Sequence, residues 1–260
     1  MTEQKPENGD RTAAVYVYGL VPSDVEVKPD VTGVGTPPCP LATVTFDDIA
    51  ALVSEIDPDA QLGTPDDLRA HARILDTTAM VAPVLPFRFG AVMTDTDAVV
   101  SELLEPYRDE FHEELDQLEG VVEYVVKGRY VEDAVLREIL SEDGETVRLR
   151  EIIRDQPEDV TRDERLALGE RISQALAAKS NQDTQQLVEA LDQVAKEVRV
   201  RDATSDEEAG SVAVLIASDE VDALDKAITN LSQDWQDRVD LTVLGPLAAY
   251  DFVKTRAPGA

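Results

Sequence analysis

Val212-Ala213-Val214-Leu215-Ile216-Ala217 is a short run with no charge and no turn former. A segment this short and this apolar reads as a strand buried on both faces, so it belongs at the centre of a sheet. Downstream, Ser218 stands where it can cap a helix, and Val221, Leu224, Ile228 and Leu231 follow at helical spacing. Val239, Leu241 and Val243 then alternate as a last strand. Upstream, an acidic turn at 205–210 separates the central strand from a short strand near 197–201. Helical segments fill most of 131–196, with one stripe at Leu168, Ile172, Ala175 and Leu176 and another at Leu187, Val188, Leu191 and Val194. Residues 121–130 read as a strand. The order strand, helices, strand, strand, helix, strand predicts a ferredoxin-like α+β sandwich over 119–244, with an enlarged helical first crossover.

The first half holds similar ingredients in looser form and makes an N-terminal α+β domain at 12–118. Ala13-Ala14-Val15-Tyr16-Val17-Tyr18 reads as a buried strand ended by Gly19 and Pro22. Residues 22–40, rich in proline and glycine, form a long loop, and 41–46 resume as a strand. At 47–56 two readings stay open. Ile49, Leu52, Val53 and Ile56 have helical spacing, which periodicity slightly favours, while Ala50-Ala51-Leu52-Val53 could be a strand after a tight turn. Thr64-Pro65-Asp66-Asp67 starts a helix whose expected buried stripe is Leu68, Ala72, Leu75 and Ala79. The prolines at 83 and 86 make 82–92 an edge or interrupted strand. Residues 96–118 form an amphipathic helix that Pro106 should kink or split. Residues 1–11 are expected as a disordered lead-in, and 245–260 as a tail packing at the domain junction.

The chain has 260 residues, a net charge of −30 and 43% hydrophobic residues. That composition supports a folded core and argues against an acidic disordered tail. The charge excludes nucleic acid and anionic membrane surfaces as partners, because both would repel it. Self-repulsion this strong becomes tractable near 1 M salt, where the Debye length falls to roughly 3 Å. The reading is a salt-adapted cytoplasmic protein, with an ordinary acidic protein as the alternative. Cys39 stands alone, which leaves no disulfide within the chain. The first residues carry no apolar leader, and no apolar run approaches the ~18 residues of a membrane span.

A search for chemistry finds little. The two histidines, His71 and His112, have no second histidine at metal spacing. Glu113, Glu114 and Asp116 stand near His112, which reads better as a solvated acidic helix face than as a metal site. Gly33-Val34-Gly35 lacks the third glycine of a dinucleotide loop, and no phosphate loop or nucleophile elbow is present. The expectation is therefore no enzyme, no cofactor and no metal. Two segments stand out instead. Phe87-Arg88-Phe89-Gly90 sets a cation between two aromatics in the proline-broken edge. Leu244-Gly245-Pro246-Leu247-Ala248-Ala249-Tyr250-Asp251-Phe252-Val253 breaks the last strand at Gly-Pro and adds two more rings. Either the rings are core and anchor residues, or Phe87, Arg88, Phe89, Tyr250 and Phe252 form an interface offered to a partner.

These segments also carry a resemblance. Val84-Leu85-Pro86-Phe87-Arg88-Phe89-Gly90 and the closing block are similar to signature blocks of the gas vesicle protein F/L family. Tyr16-Val17-Tyr18-Gly19, Ala50-Ala51-Leu52-Val53-Ser54-Glu55 and Leu168-Gly169-Glu170 extend the likeness over about residues 14–253. The acidity suggests a haloarchaeal member. Many members have prolines, sometimes with Trp, where this tail has Leu247-Ala248-Ala249. The resemblance implies a two-domain α+β accessory protein of gas vesicles. It would act in vesicle assembly and bind the hydrophobic shell protein and other gas vesicle accessory proteins, without enzymatic activity. It also implies a strand rather than a helix at 49–56. Set apart from the resemblance, the alternative is a ferredoxin-like small-molecule-binding or regulatory module.

Overall fold

The computed structural model describes residues 13–142 and 144–254. The lead-in expected at 1–11 and the end of the tail lie outside the described residues. The chain divides into two compact units. One runs Met1–Glu123 and takes back Pro246–Ala260; the other is Tyr124–Gly245.

The first unit is built on β1 (Ala14–Pro22), β2 (Ala42–Phe46), β3 (Ile49–Ile56), α1 (Pro65–Ala79), β4 (Leu85–Pro86) and β5 (Val92–Met93). Its sheet has the order β2-β3-β1-β4, and β5 also pairs with β1. β1 lies antiparallel to β3, with Ala14 opposite Ile56 and Pro22 opposite Ile49. Gly19 does not end this strand. It sits within it at a register shift, where a Cβ would come 2.6 Å from the Leu85 carbonyl oxygen. Glycine here permits close backbone approach.

Residues 49–56 are a strand, so the slight helical lean of the periodicity is corrected. Seven of the eight are buried, and a strand covered on both faces shows no clear alternation to set against helical spacing. Asp47, with φ 51°, makes the two-residue connection that pairs Phe46 with Ile49.

Thr64 caps α1 as expected, in a reciprocal box with Asp67. The buried stripe, however, is Asp67, His71, Ile74 and Leu75, and Leu68 is 48% exposed. Hydrophobic spacing misplaced the face because two of its four members are polar residues satisfied by internal hydrogen bonds. Beyond β5 the amphipathic helix is indeed split. It comprises α2 (Thr96–Ala98), a π-helical turn at Val99–Leu104 and α3 (Glu105–Gln117), with Pro106 in the first turn of α3. Proline lacks the N–H, and its ring collides with the carbonyl four residues back. The wider π turn takes up that collision, and the Glu105 N–H reaches the Val100 carbonyl five residues back. α1 and the 25–41 loop cover one face of the sheet, while the π turn and α3 pack on the other.

The second unit holds β6 (Val121–Tyr130), whose first residues lie in the first unit. α4 (Glu132–Glu142), α5 (Gly144–Ile153), α6 (Arg162–Leu191), β7 (Glu197–Val200), β8 (Glu208–Ala217), α7 (Val221–Asp234) and β9 (Val239–Leu247) follow. The sheet order is β7-β8-β6-β9, the ferredoxin-like order read from the sequence. β8 is central, with eight of its ten residues buried. Both helical stripes expected at 168–194 fall largely on the single 30-residue helix α6. Three local expectations are corrected. The cap position of α7 is Glu220, two residues past the expected Ser218. β8 begins at Glu208 and shortens the acidic turn. β9 runs through Gly245-Pro246 to Leu247, an edge position where a missing N–H is tolerated.

Candidate functional site

The segment 87–90 and the tail come together in the first unit, on the α1 side of the sheet. β1 presents Tyr16 and Tyr18, whose ring centroids are 4.8 Å apart. His71 on α1 lies 5.7 Å from Tyr18, and Phe89 lies 5.7 Å from Tyr16 and 5.6 Å from His71. Phe89 and Tyr250 both pack against this apolar cluster.

A chain of hydrogen bonds pins 87–90. The Gly90 N–H donates to the Tyr16 hydroxyl (3.1 Å), which lies 2.8 Å from His71 Nδ1, while His71 Nε2 lies 3.1 Å from the Phe87 carbonyl. One protonation state satisfies every group. Nε2–H donates to the carbonyl, and Nδ1 accepts from the Tyr16 hydroxyl. Burial pushes the His71 imidazole below its usual pKa, against the Phe87 carbonyl, which favours the charged form. His71 is therefore a neutral fastener of the fold, and both its nitrogens are occupied.

A second set of bonds holds the long loop. Val34 N–H donates to the Tyr18 hydroxyl (2.9 Å), and Ser54 Oγ donates to the Pro40 carbonyl (2.8 Å). The Asp67 carboxylate accepts from the amides of Gly35 (2.8 Å), Gly63 (3.1 Å) and Thr64 (3.0 Å), and from the Thr64 hydroxyl (2.8 Å). Burial alone would raise this carboxyl; the four donors outweigh it and hold it below the usual carboxylate range.

The tail is tied down twice. The Ala248 N–H donates to Asp76 Oδ1 (3.0 Å), and the Asp251 N–H donates to Glu123 Oε2 (2.9 Å). Burial pushes the Asp76 carboxyl up, only partly offset by the Ala248 bond, and it raises the Tyr250 hydroxyl too.

The five residues expected at a partner interface thus have different fates. Phe87 is 2% exposed, Phe89, Tyr250 and Phe252 are half-buried, and Arg88 alone is exposed. Phe87 is thus inside, and the other three rings are partly covered. Sequence reading missed several exposed large apolar residues. Met80 (64%) and Val81 (83%) lie just past α1, while Val243 and Leu244 lie on the edge strand β9. Each sits in an otherwise ordinary apolar pattern, so no sequence signal marks it as exposed.

His112 stands 3.0 Å from Asp48, which also receives a bidentate Arg108, and 3.6 Å from Asp116. Among the described residues no group of three or more His, Cys, Asp or Glu side chains could hold a metal ion. Nor is any helix among them long and apolar enough to cross a membrane.

Residues 14–254 match the family model described as gas vesicle synthesis protein GvpL/GvpF. A gas vesicle protein F of Streptomyces sp. is 34% identical over 242 residues, covering 93% of this chain and 100% of the relative. One from Dolichospermum flosaquae is 23% identical, covering 92% and 97%. The crystal structure of GvpF from Anabaena sp. superposes with a TM-score of 0.78 at 22% identity, covering 94% of this chain and 99% of that one. GvpF from Microcystis aeruginosa gives 0.75 at 21%, covering 93% and 99%. This gives the two-unit α+β architecture solved precedents. The match to the family model runs from the first residues of β1, through both sheets, to the tail bonded under α1, and by it the chain belongs to the GvpL/GvpF family of gas vesicle proteins.

Proposed function

We propose that this chain acts in gas vesicle assembly, binding the hydrophobic shell protein and other gas vesicle accessory proteins. The observation that carries the reading is the match to the gas vesicle synthesis family across residues 14–254, which leaves neither unit outside it. Physical chemistry supplies the mechanism. A subunit that lines a gas space must be strongly apolar on one side, and such a surface aggregates when free. A protein with 54 acidic side chains stays soluble while it covers that surface. Its own exposed apolar residues, and main-chain groups along the edges of its sheets, supply the contacts. The segment around Arg88 contributes through that side chain and its backbone, with Phe87, Phe89, Tyr250 and Phe252 shaping it from within. The protein works in the cytoplasm, in association with the vesicles.

The test is co-expression with the shell protein followed by co-purification in molar salt. The expected result is that shell or accessory proteins elute with this chain. Elution of this chain free of every vesicle protein overturns the reading.

A further inference from the structure

Gly169 lies in the interior of the long helix α6, where glycine is less favourable than alanine because it loses more backbone freedom. Nothing in the described fold requires it. Its φ is not positive, and no heavy atom lies within 4 Å of the place a Cβ would occupy. Ser173 and Ala177 follow one and two turns on, along the same face, and both are exposed. Around them Ile172-Ser173-Gln174-Ala175-Leu176-Ala177-Ala178 carries no charge, in a chain that is 30% charged. A helix face that stays in water on so acidic a protein would be expected to carry acids.

The same face borders a trough. One hollow of about 390 Å³ has Tyr130, Val135, Leu136 and Leu176 in its lining. A second, of about 350 Å³, is lined by Gly169, Ile172, Ser173 and Ala177 among others. The two share Leu176 and Asp206, so they adjoin along α6; the first is floored by apolar side chains, and the second sets Ile172, Leu176 and Ala177 beside the small polar Ser173, Ser180 and Ser205. Its lining carries Glu132, Asp206, Glu207, Glu208 and Asp240 and the cation Arg129, which is already paired with Glu207 at 2.5 Å, while Lys127 and Arg201 act on Glu208 from nearby, so acids still outnumber bases there.

We infer that the trough along α6 is a docking site for an amphipathic helix of a partner protein, with small and apolar side chains on its contact face and Lys or Arg on its flank. The missing Cβ at Gly169, with the short side chains of Ser173 and Ala177, lets a second helix approach closely. The uncharged run avoids burying carboxylates beneath it. The acidic margin selects a basic flank and sets its orientation. In concentrated salt the apolar floor provides most of the affinity. The inference deepens the proposed function, and rests on it only for the natural partner being a gas vesicle component.

The probe is a synthetic helix of about 18 residues, some 27 Å long, with Ala and Leu on one face and Lys on the other. Its binding to the full chain is read by fluorescence anisotropy in molar salt. The expected result is saturable binding that weakens at least about tenfold in Gly169→Leu/Ala177→Trp, which fills the trough. Glu189→Trp, on an exposed face of the same helix away from the trough, should bind as the original chain does. A probe with Glu in place of Lys should not bind. Circular dichroism checks that the double variant stays folded; if it does not, the single exposed change Ala177→Lys, which repels the probe, takes its place. No binding by the original chain, or equal binding by the filled variant, overturns the inference. A concentration-dependent dimer abolished by the same variant also overturns it, since the occupant would be a second copy. Co-purification separates this from the broader reading. If the filled variant still binds vesicle proteins fully, the trough fails while the function stands. If the original chain binds none of them, the function fails, and the probe still decides the trough.

Discussion

The two units solve one topological problem in two ways. Counted within each unit, both sheets run second, third, first, fourth strand. The first crossover, however, is a proline-rich loop between β1 and β2 in one, and the helices α4, α5 and α6 between β6 and β7 in the other. The means of holding each crossover differ accordingly. A loop has unused backbone groups, so the first unit grips it at the main chain: Tyr18, Ser54 and Asp67 take Val34, Pro40 and Gly35. Helices have bonded their own amides, so only side chains remain to be held. The second unit uses charge. Arg238 binds Asp183 bidentately (2.7 and 3.0 Å) and Glu138 (2.8 Å), Lys179 binds Glu138 (2.6 Å) and Glu142 (2.8 Å), and Tyr130 donates to Asp183 (2.6 Å). The Arg238 guanidinium also lies 5.7 Å from the centre of the Tyr130 ring. Glu138 would be raised by its burial, but Lys179 and Arg238 outweigh that and hold it below the usual range.

Removing salt is the severest strain on this pair. The first unit has 26 acidic side chains against 9 basic, and the second 28 against 15. Self-repulsion is therefore less compensated in the first. Transfer from molar to millimolar salt should abolish cooperative unfolding, with amides of the first unit losing hydrogen-exchange protection before those of the second. A melting temperature unchanged between the two conditions would refute the salt-adapted reading. Simultaneous loss of protection would show that the charge balance of each unit does not set the order.

The next largest effect should fall on the second unit alone. Arg238→Met leaves Asp183, whose side chain is 3% exposed, and Glu138 short of their main cation. Breaking a buried pair from one side costs about 3–5 kcal/mol. Denaturant unfolding should show that loss, and limited proteolysis should cut within 132–191 while the first unit persists. A loss shared equally by both units, or below about 1 kcal/mol as for a surface pair, would contradict the assignment of this network as the clamp on the helical crossover.

How much of this was legible in the sequence follows from the same contrast. The order of elements in the second unit could be read, because 212–217 and the stripes on α6 are apolar runs whose spacing matches their secondary structure, although the start of β8 and the end of β9 could not. The first unit was harder where polar residues go inside. Asp67 and His71 are the buried face of α1, but periodicity looks for carbon and so chose Leu68. Strand β3, buried on both sides, hid its alternation. The segments at 87–90 and 246–252 were recognisable as special from their clustered rings, and the structure does bring Phe89 and Tyr250 to one cluster. The sequence left core rings and an offered surface as alternatives, and what it could not supply for Phe89 was its partner, His71, which reaches across from α1 to 5.6 Å from that ring. The trough beside α6 was invisible for another reason: it is made by strand, helix and loop residues far apart in the chain.

The smallest expected effect is the most discriminating, because it is a pH dependence that only the first unit should show near neutrality. His71 is neutral in the folded state, and burial lowers its pKa beneath the unfolded value of about 6.5. The unfolded chain thus takes up a proton before the folded chain does. Stability should be level above about pH 6.5 and fall as the pH drops from there towards the lowered folded value, by no more than about 1.4 kcal/mol per pH unit. The bonding explains the direction. A proton on Nδ1 would turn an N–H against the Tyr16 hydroxyl, which already accepts from Gly90 and would then need a new acceptor for its own hydrogen. The groups facing His71 are Tyr16 and Tyr18 on β1 and the Phe87 carbonyl, with Asp67 one turn back on α1, and none of these titrates near neutral pH. Glu138 in the second unit is held below the usual carboxylate range, so its contribution is lost only at more acid pH. Asp76 is raised and has the opposite sign, since protonating it at acid pH favours the folded state. Denaturant unfolding in molar salt between pH 8 and 5 should therefore show a fall that begins near 6.5, and His71→Gln should be less stable at pH 8 but flat across this range. If the glutamine variant keeps the same slope, His71 is not the neutral fastener of the 87–90 segment, and the contrast between an uncharged clamp in one unit and a charged clamp in the other loses its first half.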